Sequence, residues 1–319
     1  MKIGVIGLGN IAQKAYLPVM VEMQDEVEWH LCSRNKETLE TVGKKFGFQH
    51  LYTSMEEWLD SGIDAAFVHV ATVAHAEIIR KLLERGISVY VDKPISDDLE
   101  ETKQLIELAD AKGLLLTAGF NRRFAPMVER LKEIPDKKMI LIQKDRVKNV
   151  EPVRFAVYDL FIHIADTALY LLDDEVVSVQ SHLVENEGEL KRLWLMLETK
   201  STTCFVSMNY EAGANQEVME VQSPEGITRV LNLTDMTIVQ KNGKQQVAFG
   251  DWEGTLRKRG FAPLIAAFVA GVKEKTITGL VNGDIIYARL YDGTSSGKYA
   301  NIEVRDDIVP TATIKLIKN

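Results

Sequence analysis

The sequence predicts an α/β protein in two parts: a parallel sheet wrapped by helices, then an α+β part built on a large, mainly antiparallel open sheet. Three observations predict this. Over the first 120 residues, short hydrophobic runs alternate with longer stretches of helical periodicity. After about residue 125, strand-like runs follow one another across tight turns. A glycine-rich turn stands directly behind the first run. A chain of 319 residues is too long for one typical core, and the change of rhythm divides it into 1–120 and 121–319.

The first part reads in order. KIGVIG, VEWHLCS, AAFVHVA, SVYVDK and LLLTAGF are continuous rather than alternating, as strands buried on both faces must be. KETLETVGKKFG, HAEIIRKLLERG and DDLEETKQLIELADAKG are the helices between them, each closed by a glycine. Behind the first strand, Gly7, Leu8, Gly9, Asn10, Ile11 and Ala12 form a GxGxxA turn. The first glycine permits the tight turn, the second lets backbone approach a pyrophosphate, and the small sixth residue lets helix and strand pack. Free N–H groups at the helix start face the phosphates, so Gly7 to Ile11 are the expected dinucleotide cradle. An acid at the end of the second strand would take the ribose hydroxyls of NAD. Ser33 and Arg34 stand there instead, which favours a 2′-phosphate and hence NADP(H) over NAD(H). Asp92-Lys93-Pro94 closes the fourth strand on the edge where open sheets bind ligands, and the proline fixes the direction of the lysine before it.

In the second part, YDLFIHIADTALY predicts a helix over 159–172 with Asp159, His163 and Asp166 at i, i+4 and i+7 on one face of an apolar segment. An imidazole titrates near neutrality, so His163 can exchange a hydroxyl proton. Asp159 can orient it or the substrate, and Lys93 can stabilise a developing alkoxide. The competing reading makes Asp159 an N-cap and the other two a satisfied buried polar cluster. RLWLMLE, TTCFVSMNY, EVMEVQ, ITRVLNL, MTIVQ and QQVAFG then predict strands, with turns at Lys200-Ser201, Ser223 to Gly226 and Asn242-Gly243. The first two carry more hydrophobes than one buried face requires, which predicts a homo-oligomer, a dimer or tetramer. The tail beyond about Gly293 gives no clear pattern.

A net charge of -8 argues against general affinity for nucleic acid. Two distant cysteines, Cys32 and Cys204, give neither a disulfide framework nor metal-ligand spacing, so no metal is expected. With no run long enough to span a bilayer, the expectation is a cytoplasmic protein without a membrane partner.

The glycine turn, the DKP triplet, Gly119-Phe120-Asn121-Arg122-Arg123 and the Asp159-x-x-x-His163-x-x-Asp166 helix occur in the order found in the Gfo/Idh/MocA family of oxidoreductases, which the sequence resembles. Through IAQKAYLPV, VDKP and GFNRRFAP it is most similar to the MviM-like branch. The resemblance implies a Rossmann domain, an open-sheet second domain, a nicotinamide cofactor and a sugar, cyclitol or related small polyol as substrate. It implies that Lys93 is the motif lysine and that Asp159 and His163 are the site pair. It also places Ala71, Thr72, His75, Asp92, Lys93 and Asn121 at the cofactor, and Arg122 with Lys93, Asp159 and His163 at the substrate. Val73 stands where proline is usual, and Phe161 replaces the glycine common two residues before the histidine, where a ring could reshape the site. A regulatory dinucleotide sensor on the same fold is the alternative function; keeping both Lys93 and His163 disfavours it.

Overall fold

The computed structural model describes residues 1–147 and 150–274, and the backbone of 300–305 and 313–318. They form two compact units. The first contains Met1–Phe120 and, against the expected unbroken 121–319 second domain, also the helix Phe261–Glu274. The physical reason is aromatic packing: Phe268 meets Phe67 and Tyr90 edge-on at 5.0 and 5.7 Å, and Phe261 meets Tyr16 at 5.5 Å.

Six strands build the first sheet: β1 (Lys2–Ile6), β2 (Glu28–Cys32), β3 (His50–Tyr52), β4 (Ala65–Val68), β5 (Ser88–Val91) and β6 (Leu116–Ala118). Their order is β3-β2-β1-β4-β5-β6 and every pair is parallel. This is the doubly wound dinucleotide-binding order, which reverses direction between β1 and β4. The short edge strand β3 has too few residues to show a pattern and was not legible in the sequence. Caps set the helix starts. Asn35, Ser54 and Asp98 each accept a backbone N–H three residues on, opening Lys36–Phe46, Met55–Leu59 and Leu99–Lys112.

The second unit carries an eight-stranded sheet: β7 (Met139–Val147), β8 (Ser178–Asn186), β9 (Glu189–Glu198), β10 (Thr203–Ala212), β11 (Gln216–Ser223), β12 (Gly226–Leu231), β13 (Asp235–Gln240) and β14 (Gly243–Val247). The order is β14-β13-β12-β11-β7-β10-β9-β8, antiparallel except for the central β7–β10 pair. The three expected turns join β9 to β10, β11 to β12 and β13 to β14. Along β9 and β10 burial alternates, and the outward half-buried positions carry Trp194, Met196 and Phe205, with the first and last rings stacked at 5.8 Å. Most of the tail beyond Gly293 lies outside the described residues; β15 (Ala300–Arg305) and β16 (Thr313–Lys318) pair antiparallel there.

Candidate active site

The glycine turn is dictated by sterics. Gly7 turns the chain at φ +92°, and a β-carbon there would stand 2.5 Å from the backbone of His69, just past β4. No side chain fits. Gly9 is the opposite case, with nothing within 4 Å of an added β-carbon, so its backbone lies open. Helical backbone starts at Asn10, and the Gln13 side chain donates to the Leu8 carbonyl at 2.8 Å, fixing the loop. The turn stands at the β1/β4 reversal, so the residues present fit a dinucleotide pyrophosphate, which the backbone N–H groups of Gly9 to Ile11 would hold.

At the end of β2, Ser33 Oγ accepts the Asn35 N–H at 3.2 Å, while Asn35 caps the next helix. Arg34 between them is exposed. After β4, Ala71 leads into a 3₁₀ turn, Thr72–Ala74, where Val73 is 88% exposed. His75 does not face outward with it. Its ring is buried, with Nδ1 2.8 Å from the Pro94 carbonyl and Nε2 3.0 Å from that of Val70. It braces the turn after β4 against the turn after β5.

Asp92 closes β5. Tyr16 Oη donates to Oδ1 at 2.7 Å and His69 Nδ1 lies 2.9 Å from Oδ2, while the Tyr16 and Tyr90 hydroxyls share a hydrogen bond of 2.7 Å. Burial alone would raise the Asp92 pKa; the charge and hydrogen bond of His69 and the hydrogen bond from Tyr16 outweigh it and hold the carboxyl below its ordinary value. Burial, then Asp92, pushes the Tyr16 and Tyr90 hydroxyls well up, so both stay protonated as donors. Lys93 follows, half-buried, in a cis peptide bond with Pro94. Sequence reasoning missed Tyr16, His69 and Tyr90. The available signal was His69 itself, a polar residue interrupting AAFVHVA in phase with buried Phe67.

In the second unit, the predicted helix is wound in two ways. Ala156–Phe161 is π-helical and Ile162–Leu171 is α-helical. Such a widened turn shifts the phase of the side chains before it, and it occurs often at functional sites. Asp159 and His163 are half-buried, whereas Asp166 is fully buried and accepts a bifurcated hydrogen bond from the Arg123 Nε–H, 3.0 Å to each oxygen, and one from Nη2 at 2.6 Å. The polar stripe therefore divides: Asp166 is a structural ion-pair partner, leaving Asp159 and His163 as candidates. Phe161 is 2% exposed, its ring packed in the interior of the unit.

Asn121 and Arg122 are also engaged inside this unit. Asn121 Nδ2 donates to the Arg259 carbonyl at 2.7 Å. Arg122 grips Glu217 with Nε at 2.6 Å and Nη2 at 2.8 Å, and Lys144 Nζ reaches the same carboxylate at 3.0 Å. Burial would raise the Glu217 pKa, but Arg122 and Lys144 hold it far below the carboxylate range. Lys144 is pushed down to about 8 by burial and then by Arg122. Asn121 and Arg122, expected at the cofactor and the substrate, are both anchored by these contacts within the unit.

Comparison with known proteins follows the same division. Residues 1–120 match an oxidoreductase family with an NAD-binding Rossmann fold, and residues 126–241 match a YceM-like C-terminal domain. The chain is similar to the dehydrogenase MviM from Clostridium difficile, with 31% identity, TM-score 0.81, and coverage of 86% of this chain and 92% of that one. It is similar to a Gfo/Idh/MocA family oxidoreductase from Vibrio cholerae at 30% identity and TM-score 0.80, over 86% and 90% of the two chains. Among curated proteins, the myo-inositol 2-dehydrogenase of Thermotoga maritima is 27% identical over 75% of this chain and 78% of its own.

Proposed function

Because this chain belongs to the Gfo/Idh/MocA family of oxidoreductases, we propose that it transfers hydride between NADP(H) and a secondary alcohol or carbonyl of a sugar, cyclitol or related small polyol. The observation that carries the dinucleotide half is the open Gly9 backbone behind the sterically enforced Gly7 turn, at the reversal point of a 3-2-1-4-5-6 sheet. The similarity to a myo-inositol dehydrogenase supports the substrate class.

In this reading the Gly7–Ile11 turn holds the pyrophosphate, Ser33 and Arg34 meet the adenosine ribose and its 2′-phosphate, and Ala71, Thr72 and Asp92 border the rest of the cofactor. When bound, the nicotinamide supplies or accepts the hydride. His163 takes the hydroxyl proton during oxidation and returns it during reduction. Lys93 supplies the positive charge that stabilises a developing alkoxide, and Asp159 orients substrate or imidazole. Asp92, fixed by Tyr16 and His69, sets the backbone from which Lys93 projects. The outward Trp194, Met196 and Phe205 of the second sheet support a homo-oligomer, to be checked by light scattering against the 35.9 kDa chain mass.

The test is a panel of keto-sugars and inosose-type ketones read by loss of NADPH absorbance. Turnover of at least one member is expected. NADPH binding without turnover of any member would favour the dinucleotide-sensing function instead.

A further inference from the structure

We propose that Glu28, His30 and His50 form a binding site for a divalent transition-metal ion of the zinc type, on the outer strands of the first sheet. His30 and His50 face each other in register across β2 and β3, and Glu28 lies two residues before His30, on the same face. His30 Nε2 lies 2.7 Å and His50 Nε2 3.7 Å from Glu28 Oε1, and the three ligand atoms all fall within 4.8 Å of one another. Among the described residues this is the one group of histidine, cysteine or carboxylate side chains gathered so closely.

Two hydroxyls flank His30 Nδ1: Ser61 Oγ at 3.0 Å, which donates its own hydrogen to the Trp58 carbonyl at 2.6 Å, and Tyr52 Oη at 3.1 Å, which can donate or accept. With Nδ1–H directed at the Ser61 oxygen, Nε2 presents a lone pair beside the Glu28 carboxylate, a pairing that a cation completes. With Tyr52 donating to Nδ1, Nε2–H donates to Glu28, and a metal takes the place of that proton. Lys2 comes only within 4.0 Å of Glu28 Oε1 and does not reach Nε2 as a partner.

A metal suits the surroundings. Ser61 Oγ and Tyr52 Oη can both accept from Nδ1–H, which supports the tautomer that exposes Nε2, the usual outer arrangement of a metal-bound histidine. Bond lengths of about 2.0–2.2 Å to nitrogen and oxygen would set the ligand atoms roughly 3.3 Å apart. Glu28 and His50, 44% and 45% exposed at their side chains, are free to adjust. Both border a cavity of about 380 Å³ that is also lined by Asp25 and Glu26. It admits the ion, and a water to complete four-coordination. Two imidazoles and one carboxylate select zinc over magnesium or calcium, which prefer oxygen throughout. The bound ion would clip the three-residue strand β3 to β2.

The full chain, untagged and stripped with chelator, is titrated with zinc alone by calorimetry, with thermal unfolding in parallel. One zinc per chain at micromolar concentration and a raised Tm are expected, with no shift from magnesium. His50→Ala and Glu28→Gln, both at exposed positions, should each weaken zinc binding at least about tenfold. Absence of stoichiometric zinc binding would leave the Glu28–His30 pair to a hydrogen bond from a protonated Nε2 and overturn the proposal. Unchanged affinity in both variants would overturn it equally.

Discussion

The two units handle buried charge in opposite ways. In the first, the sheet interior is aliphatic and aromatic, and the ionisable groups tied to the site, Asp92 and His69, gather where strands β4 and β5 end. In the second, full ion pairs sit inside: Arg123 on Asp166, and Arg122 with Lys144 on Glu217. Removing one partner of a buried pair strands the other in a poor solvent, whereas at the strand ends the Asp92 side chain keeps 18% of its surface open. The difference teaches that neighbouring residues of one motif can divide their work. Asn121, Arg122 and Arg123 hold the second unit together, while Asp92 and Lys93 stand where a ligand would be met.

That contrast can be broken by mutation. Glu217→Gln should have the largest effect on folding, about 3–5 kcal/mol in urea unfolding, because Arg122 and Lys144 are left buried and unmatched. Its pH dependence has a definite sign. The folded-state pKa lies far below the ordinary 4.5, so the stabilisation is complete above about pH 4.5 and is lost as pH falls below it. The variant should lack that part of the acid sensitivity; if wild type and variant lose stability in parallel below pH 4.5, the buried pair is not what holds the unit. Tyr16→Phe should cost less, about 2–4 kcal/mol, since its hydrogen bond to the Asp92 carboxylate and the one it shares with the Tyr90 hydroxyl are both lost while no charge is left unmatched. A change larger than that of Glu217→Gln would erase the distinction between the two units. Arg34→Ala should leave stability within about 0.5 kcal/mol, because the side chain is exposed. It should lower NADPH affinity roughly tenfold to a hundredfold and leave NADH nearly unaffected. Equal binding of the two cofactors by the wild type would remove the assigned role of Arg34.

Much of the first unit was legible in sequence because a parallel sheet buried on both faces writes itself as uninterrupted apolar runs, and GxGxxA is a steric requirement that Gly7 confirms at φ +92°. The second unit was less so. β7 reads MILIQKDRV, with a lysine and other polar residues that do not announce a central strand; only the three-dimensional meeting of Lys144 with Glu217 explains how that lysine is buried. The helix of Asp159 and His163 was found, but its phase assumed α-helical winding throughout, and no local pattern reveals a π-helical turn. For the same reason Asp166 looked equivalent to its neighbours until Arg123, 43 residues away in sequence, supplied its partner. Long-range partners escape periodicity.

The central claim is that hydride chemistry at this site depends on His163 as the group that moves the hydroxyl proton. The direct measurement compares wild type and His163→Ala in turnover of a substrate found by the ketone panel, together with NADPH affinity by fluorescence titration. Turnover should fall by about 10² to 10⁴-fold, the typical contribution of general acid–base catalysis, while NADPH affinity changes by no more than about twofold. A variant that turns over at the wild-type rate would contradict the account and return His163, like Asp166, to a structural role.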